Sequence, residues 1–88
     1  MMPGGDHIDI WEFTPRQRDI VARLLSGTSP KQIAMRLSLG VRTVYWHVEN
    51  IYRRVGVHSL GEFFAWAHTH RECCRVGLVW DSRWRSAG

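Results

Sequence analysis

Ser29-Pro30-Lys31-Gln32-Ile33-Ala34-Met35-Arg36-Leu37-Ser38-Leu39-Gly40-Val41-Arg42-Thr43-Val44 is the stretch that decides the fold. Ser29 is a hydroxyl N-cap, Pro30 stands at the first helical position and Gln32 lies three residues after the cap, which together make a capping box. The helix opened there has Ile33, Ala34 and Leu37 on its inner face and is about two turns long. Ser38-Leu39-Gly40 leaves room only for a tight turn. Val44, Val48, Ile51 and Val55 then recur with helical spacing until Gly56 stops the run. Two short helices joined so closely, with small Ala34 letting them cross, read as a helix-turn-helix.

Working outward, Thr14-Pro15-Arg16-Gln17 is another capping box and opens a first helix with Ile20, Val21, Leu24 and Leu25 inside and Gly27 at its end. Ser59-Leu60-Gly61-Glu62 reads as a third, opening a fourth helix that runs to about His70. The expected architecture is all-α: a four-helix domain over residues 13–70, a short N-terminal extension over 1–12 and a C-terminal tail over 71–88.

Eighty-eight residues make one small domain, and with 44% hydrophobic and 23% charged residues the chain is neither disordered nor fibrous in composition. Apolar runs are far too short for a membrane span, and the start lacks a basic region leading into an apolar one, so no membrane partner and a cytoplasmic location are expected. Cys73 and Cys74 are sequence neighbours, where a disulfide would be badly strained, and nothing near them in sequence has metal-ligand spacing. They read as ordinary thiols. With no Ser/His/Asp arrangement, no glycine-rich phosphate loop and only scattered histidines, the chain reads as no enzyme, without metal or cofactor.

The net charge is +4, and it is unevenly placed. Residues 1–12 hold Asp6, Asp9 and Glu12 and no base, whereas residues 13–56 carry Arg16, Arg18, Arg23, Lys31, Arg36, Arg42, Arg53 and Arg54 against Asp19 and Glu49. A basic middle suggests a polyanionic partner. On the third helix the positions not claimed by the core are Arg42, Thr43, Tyr45, Trp46, Glu49, Asn50 and Arg53, a polar and aromatic face.

The order of these residues resembles the LuxR-type helix-turn-helix domain, also called GerE or NarL/FixJ-type, of bacterial transcription regulators. The resemblance runs without a gap from about Phe13 to His70, through Phe13-Thr14-Pro15-Arg16-Gln17-Arg18, Leu24-Leu25-Ser26-Gly27-Thr28-Ser29, Lys31-Gln32-Ile33-Ala34-Met35-Arg36-Leu37, Arg42-Thr43-Val44, His47-Val48, Asn50-Ile51-Tyr52-Arg53-Arg54-Val55-Gly56-Val57 and Ser59. It implies a third helix that enters the DNA major groove and a fourth that often makes a two-fold dimer contact. It also implies a receiver or ligand-binding domain, for which the dozen residues before the first helix leave no room, so stand-alone members are the nearer analogy. Tyr45, Trp46 and Glu49 depart from the family's usual basic or polar residues, so its sequence preference does not carry over, and Gly40 stands where a Ser or Thr usually caps the third helix.

From this the phosphate contacts are expected from Lys31, Arg42, Thr43 and Arg54, with His47 matching a recurrent family histidine beside the phosphates. Arg16, Arg18, Arg23 and Arg36 read as solvated surface. Base contacts are expected from Tyr45, Trp46, Glu49, Asn50 and Arg53: Glu49 can accept from cytosine, Asn50 can pair with adenine, and the aromatics can cover thymine methyls. On the fourth helix Leu60, Phe64 and Ala67 are expected inside, leaving Phe63, Trp66 and His70 as a second stripe for a dimer interface, the alternative being that the chain's own tail covers Phe63 and Trp66. The tail, with Val76-Gly77-Leu78-Val79-Trp80 and then Arg83, Trp84 and Arg85, can fold back, pair with a partner or bind another protein. Ile8, Ile10, Trp11 and Phe13 are expected to pack on the first helix.

The expected partner is therefore double-stranded DNA, bound by a homodimer on an inverted repeat, in a regulator of bacterial or phage origin. The alternative is a module that holds RNA polymerase or another regulator through Tyr45, Trp46 and Glu49. A third reading, the DNA-recognition half of a polymerase specificity factor, lacks a polymerase-binding region.

Overall fold

A computed structural model describes residues 7–80 of the chain, and among them every regular element is helical. A 3-10 turn at Ile10–Glu12 precedes α1 (Pro15–Leu25), α2 (Pro30–Leu37), α3 (Val41–Val55), α4 (Leu60–Thr69) and a short α5 (Val76–Trp80). Asp6 and the basic, tryptophan-bearing end with Arg83, Trp84 and Arg85 lie outside the described residues.

The start and stop signals act as local chemistry requires. The Thr14 hydroxyl accepts from the Gln17 N–H while the Gln17 side chain accepts from the Thr14 N–H, each at 3.1 Å. Ser29 and Gln32 do the same at 3.3 Å, so two otherwise orphaned N–H groups are satisfied at each of these starts. At α4 only half the box forms: Ser59 accepts from the Glu62 N–H, but the Glu62 carboxylate accepts from His58 N–H instead. Gly27 and Gly56, with φ of 89° and 81°, take the left-handed conformation that ends α1 and α3.

The turn between α2 and α3 is tighter still. Ser38 adopts the left-handed conformation, and the Leu39 N–H reaches back to the Ala34 carbonyl at 2.9 Å. Ile33 and Ala34 are then buried against Val44, Val48, Ile51 and Val55 of α3, while Ile20, Val21, Leu24 and Leu25 bring in α1. Burying each large aliphatic side chain contributes roughly 1.5–3 kcal/mol, so across α1 to α3 the core rests on the residues that the helical spacing picks out, except that Leu37 is only half-buried at its edge.

Both extensions join this core. Ile10 and Phe13 are fully buried and Ile8 half-buried, but Trp11 stays exposed, with the Arg18 guanidinium 4.8 Å over its ring. Asp9 and Glu12 cap the 3-10 turn, and Asp9 also faces Arg75 at 3.5 Å. The segment after α4 folds back within its own chain: α5 packs on α1, with Val76 and Val79 buried. A backbone bond of 2.8 Å from Ile10 N–H to the Cys74 carbonyl joins the two extensions to each other.

Helix α4 corrects the sequence reading. Phe63 and Trp66 are 0% exposed and His70 is 6% exposed, so the stripe assigned to a dimer interface lies inside the monomer. Leu60, expected inside, is 44% exposed and Phe64 is only half-buried. The buried arc is thus rotated by roughly 80° about the helix axis from the expected one. The reason is a run of rings from α3 into α4, with centroids 5.5 Å apart for Tyr52 and Phe63, 5.6 Å for Phe63 and Trp66 and 5.5 Å for Trp66 and His70. Each aromatic pair adds about 0.5–1.5 kcal/mol beyond its buried area, which favours this face over the one with Leu60 and Phe64.

Candidate nucleic-acid interface

On α3, the face opposite the core is what the valine and isoleucine positions leave over. At 3.6 residues per turn, Arg42, Trp46, Glu49 and Arg53 fall within about 60° of one another, directly away from Val44, Ile51 and Val55. Tyr45 flanks them on one side and Thr43 and Asn50 on the other. Trp46 is 62% and Tyr45 48% exposed, so neither aromatic is part of the core. Arg42, Glu49 and Arg53 are exposed too, and no described residue forms an ion pair with them. Glu49 and Arg53, one helical turn apart, do not pair with each other.

The start of α3 differs chemically from the other long helices. Gly40 has ordinary extended geometry (φ −67°) and supplies no side-chain cap, so the first N–H groups, at Val41, Arg42 and Thr43, are left without a side-chain acceptor. Those groups carry the positive end of the helix dipole beside the Arg42 guanidinium and the Thr43 hydroxyl, a combination that attracts a phosphate. Lys31, near the start of α2, is exposed and likewise without an ion pair among the described residues.

Other candidates sit differently. Asn50 is half-buried and its amide donates to the Trp46 carbonyl at 3.0 Å, so one of its donors is engaged on its own helix. His47 is half-buried against the Trp46 ring, with centroids 5.1 Å apart, and its Nδ1 is buried without a hydrogen-bond partner. Arg54 leans away from the outer face, 3.8 Å from Glu12 and 5.7 Å over the Phe13 ring.

The basic residues that sequence reading assigned to surface separate into two kinds. Arg18 donates to the Phe13 carbonyl at 2.7 Å and Arg23 pairs with Asp19 at 2.9 Å, so both serve α1 itself. Arg16 and Arg36 are exposed and without an ion pair among the described residues, and they add to the positive field around the helix-turn-helix.

The family model for bacterial regulatory proteins of the luxR family matches residues 12–67. The chain is similar to the nitrate/nitrite response regulator protein NarL of Escherichia coli K12, 35% identical over 63 residues, which is 72% of this chain and 29% of that protein. It is also similar to the fimbriae Z protein of Salmonella typhimurium, 34% identical over 77% of this chain and 32% of that protein. A third relative, the probable HTH-type transcriptional regulator GfsR of Streptomyces halstedii, is 36% identical over 62% of this chain and 23% of its own length. The chain thus spans less than a third of these relatives. No described helix is long and apolar enough to cross a membrane. With the helix-turn-helix and the match over most of the chain, this protein belongs to the luxR family of bacterial regulatory proteins.

Proposed function

We propose that the chain is a sequence-specific regulator that lays α3 in the major groove and anchors it on flanking phosphates. The observation that carries this is the outer face of α3, where Arg42, Trp46, Glu49 and Arg53 stand together, exposed and unpaired. Arg42, Thr43 and Lys31 hold phosphates; Tyr45, Trp46, Glu49 and Arg53 meet base edges. Asn50 joins them with the part of its amide that does not serve the Trp46 carbonyl, and His47 and Arg54 contribute at the edge of the phosphate track. Two copies bind an inverted repeat. With Phe63, Trp66 and His70 inside the core, α4 has its Leu60 and Phe64 edge for the two-fold contact. The chemistry of the face favours cytosine at Glu49 and thymine methyls at the aromatics over the Arg-to-guanine pair.

Selection of bound DNA from a random pool at a stated near-physiological salt concentration tests this, because affinity without salt is uninterpretable. An enriched two-fold symmetric site is expected; binding that fades smoothly with salt and enriches nothing would overturn it. The exposure of Tyr45 and Trp46 favours a second reading, a surface that holds RNA polymerase or another regulator. Arg42→Glu separates the two: DNA binding is lost under the first reading, and protein capture survives under the second.

A further inference from the structure

Four side chains that the helix-turn-helix does not use converge where the two extensions meet. His7, His70, Cys73 and Cys74 each bring one nitrogen or sulfur atom into a group whose members all lie within 4.8 Å of one another. The Cys73 Sγ is 3.3 Å from His70 Nδ1, 3.5 Å from His7 Nδ1 and 3.5 Å from the Cys74 Sγ. The two imidazoles meet edge to face with centroids 4.5 Å apart. We propose that these residues form a tetrahedral metal site of the Cys2His2 type, built for zinc.

The three distances from the Cys73 sulfur are those of a coordination shell, and the pairs at up to 4.8 Å close by about 1 Å around the ion. Zinc lies about 2.3 Å from a thiolate sulfur and about 2.0–2.1 Å from an imidazole nitrogen, so neighbouring ligand atoms of a tetrahedron sit roughly 3.3–3.8 Å apart. As a hydrogen-bonded cluster the arrangement is poor: a thiol has one proton and is a weak donor, yet Cys73 Sγ has three polar neighbours at 3.5 Å or less. A cation at the centre satisfies all four groups at once. Two sulfurs with two nitrogens in tetrahedral array select zinc over calcium or magnesium, which take oxygen.

The backbone also serves this geometry. Sequence neighbours ordinarily direct their side chains apart, but the turn after α4 brings the sulfurs of Cys73 and Cys74 to the same side, and the next residue, Arg75, takes φ +61°, which a non-glycine residue rarely adopts. Cys74 is buried and its carbonyl accepts from Ile10 N–H, while the Trp66 ring lies against His70 with centroids 5.5 Å apart, so two ligands are held by the core. Binding releases two thiol protons to solvent, and two thiolates then neutralise the divalent ion, leaving an uncharged site at the edge of the core. All four positions are filled by protein, which makes the site structural and not catalytic. Its effect is to fasten the N-terminal segment to the end of α4.

The test uses the full chain, without an affinity tag and with its thiols reduced, titrated with cobalt(II) as a spectroscopic stand-in for zinc. The expected result is one equivalent bound, with intense visible bands of tetrahedral cobalt and thiolate charge transfer in the near ultraviolet, both abolished by zinc. His7 and Cys73 are exposed, so His7→Ala and Cys73→Ser leave the fold intact; each weakens cobalt binding at least about tenfold, and Cys73→Ser also lowers the charge-transfer intensity. Zinc raises the melting temperature of the native chain and not of Cys73→Ser. A pale octahedral spectrum, tetrahedral bands indifferent to both substitutions, or reduced protein that binds no cobalt and oxidises to a Cys73–Cys74 disulfide would each overturn the proposal.

Discussion

Helices α3 and α4 both carry aromatic residues beside apolar ones, yet they place them in opposite ways. On α3 the aliphatic positions Val44, Val48, Ile51 and Val55, with half-buried Tyr52 at their edge, close the core, and Tyr45 and Trp46 are left in solvent. On α4 the aromatics Phe63 and Trp66 close the core, and the aliphatic Leu60 is left outside. The same residue type therefore means different things according to whether the core is already complete where it stands. An aromatic beside a finished aliphatic stripe is available to a partner; an aromatic without one is taken by the interior.

Substitutions on the two helices test that contrast. The largest effect is expected from Trp66→Ala, which empties a filled core site and should cost about 3–5 kcal/mol, read as a lower urea midpoint, whereas Trp46→Ala should stay within about 0.5 kcal/mol. Equal losses from the two would refute the assignment of Trp46 to a binding face. Next comes Glu49→Gln: the preference at one base position should shift by about 1–3 kcal/mol when bound DNA is selected and sequenced, with thermal stability unchanged. Arg42→Ala should weaken binding to all sequences alike and lower the slope of log affinity against log salt by about one. The smallest effect is expected at Gly40, whose extended backbone accepts a side chain, with Thr43 Oγ1 the nearest atom at 3.9 Å from an added Cβ. Gly40→Ser should restore a cap and stabilise the fold by a few tenths of a kcal/mol in thermal unfolding.

What the sequence made legible was local. Thr14 with Gln17, Ser29 with Gln32, and the glycines at 27 and 56 act within a turn of the chain, so their chemistry can be read without knowing the rest. The outer face of α3 was legible for the same reason, since its valine and isoleucine spacing leaves one orientation. Helix α4 was not: apolar residues lie nearly all round it, and the choice of face fell to Tyr52 and the segment after His70, which spacing within α4 cannot reveal. The turning of Arg54 toward Glu12 and of the Asn50 amide toward its own helix depended on rotamers. The gathering of His7 with His70, Cys73 and Cys74 was hidden only in part: His70-x-x-Cys73-Cys74 puts three of the ligands within five residues, a spacing that was legible and went unread, and only His7 comes from the other extension.

The bond from Ile10 N–H to the Cys74 carbonyl also bears on the order in which the molecule assembles. Helices α1 to α3 meet through short connections, so their packing can begin early. Joining residues 10 and 74 closes nearly the whole described chain into a loop, with an entropy cost on the order of 4 kcal/mol that favourable contacts must offset. Such distant pairings form late and open first. In native-state hydrogen exchange of the metal-free chain the Ile10 amide should therefore exchange ahead of the amides inside α3, marking the junction of the extensions as less protected than the helix-turn-helix.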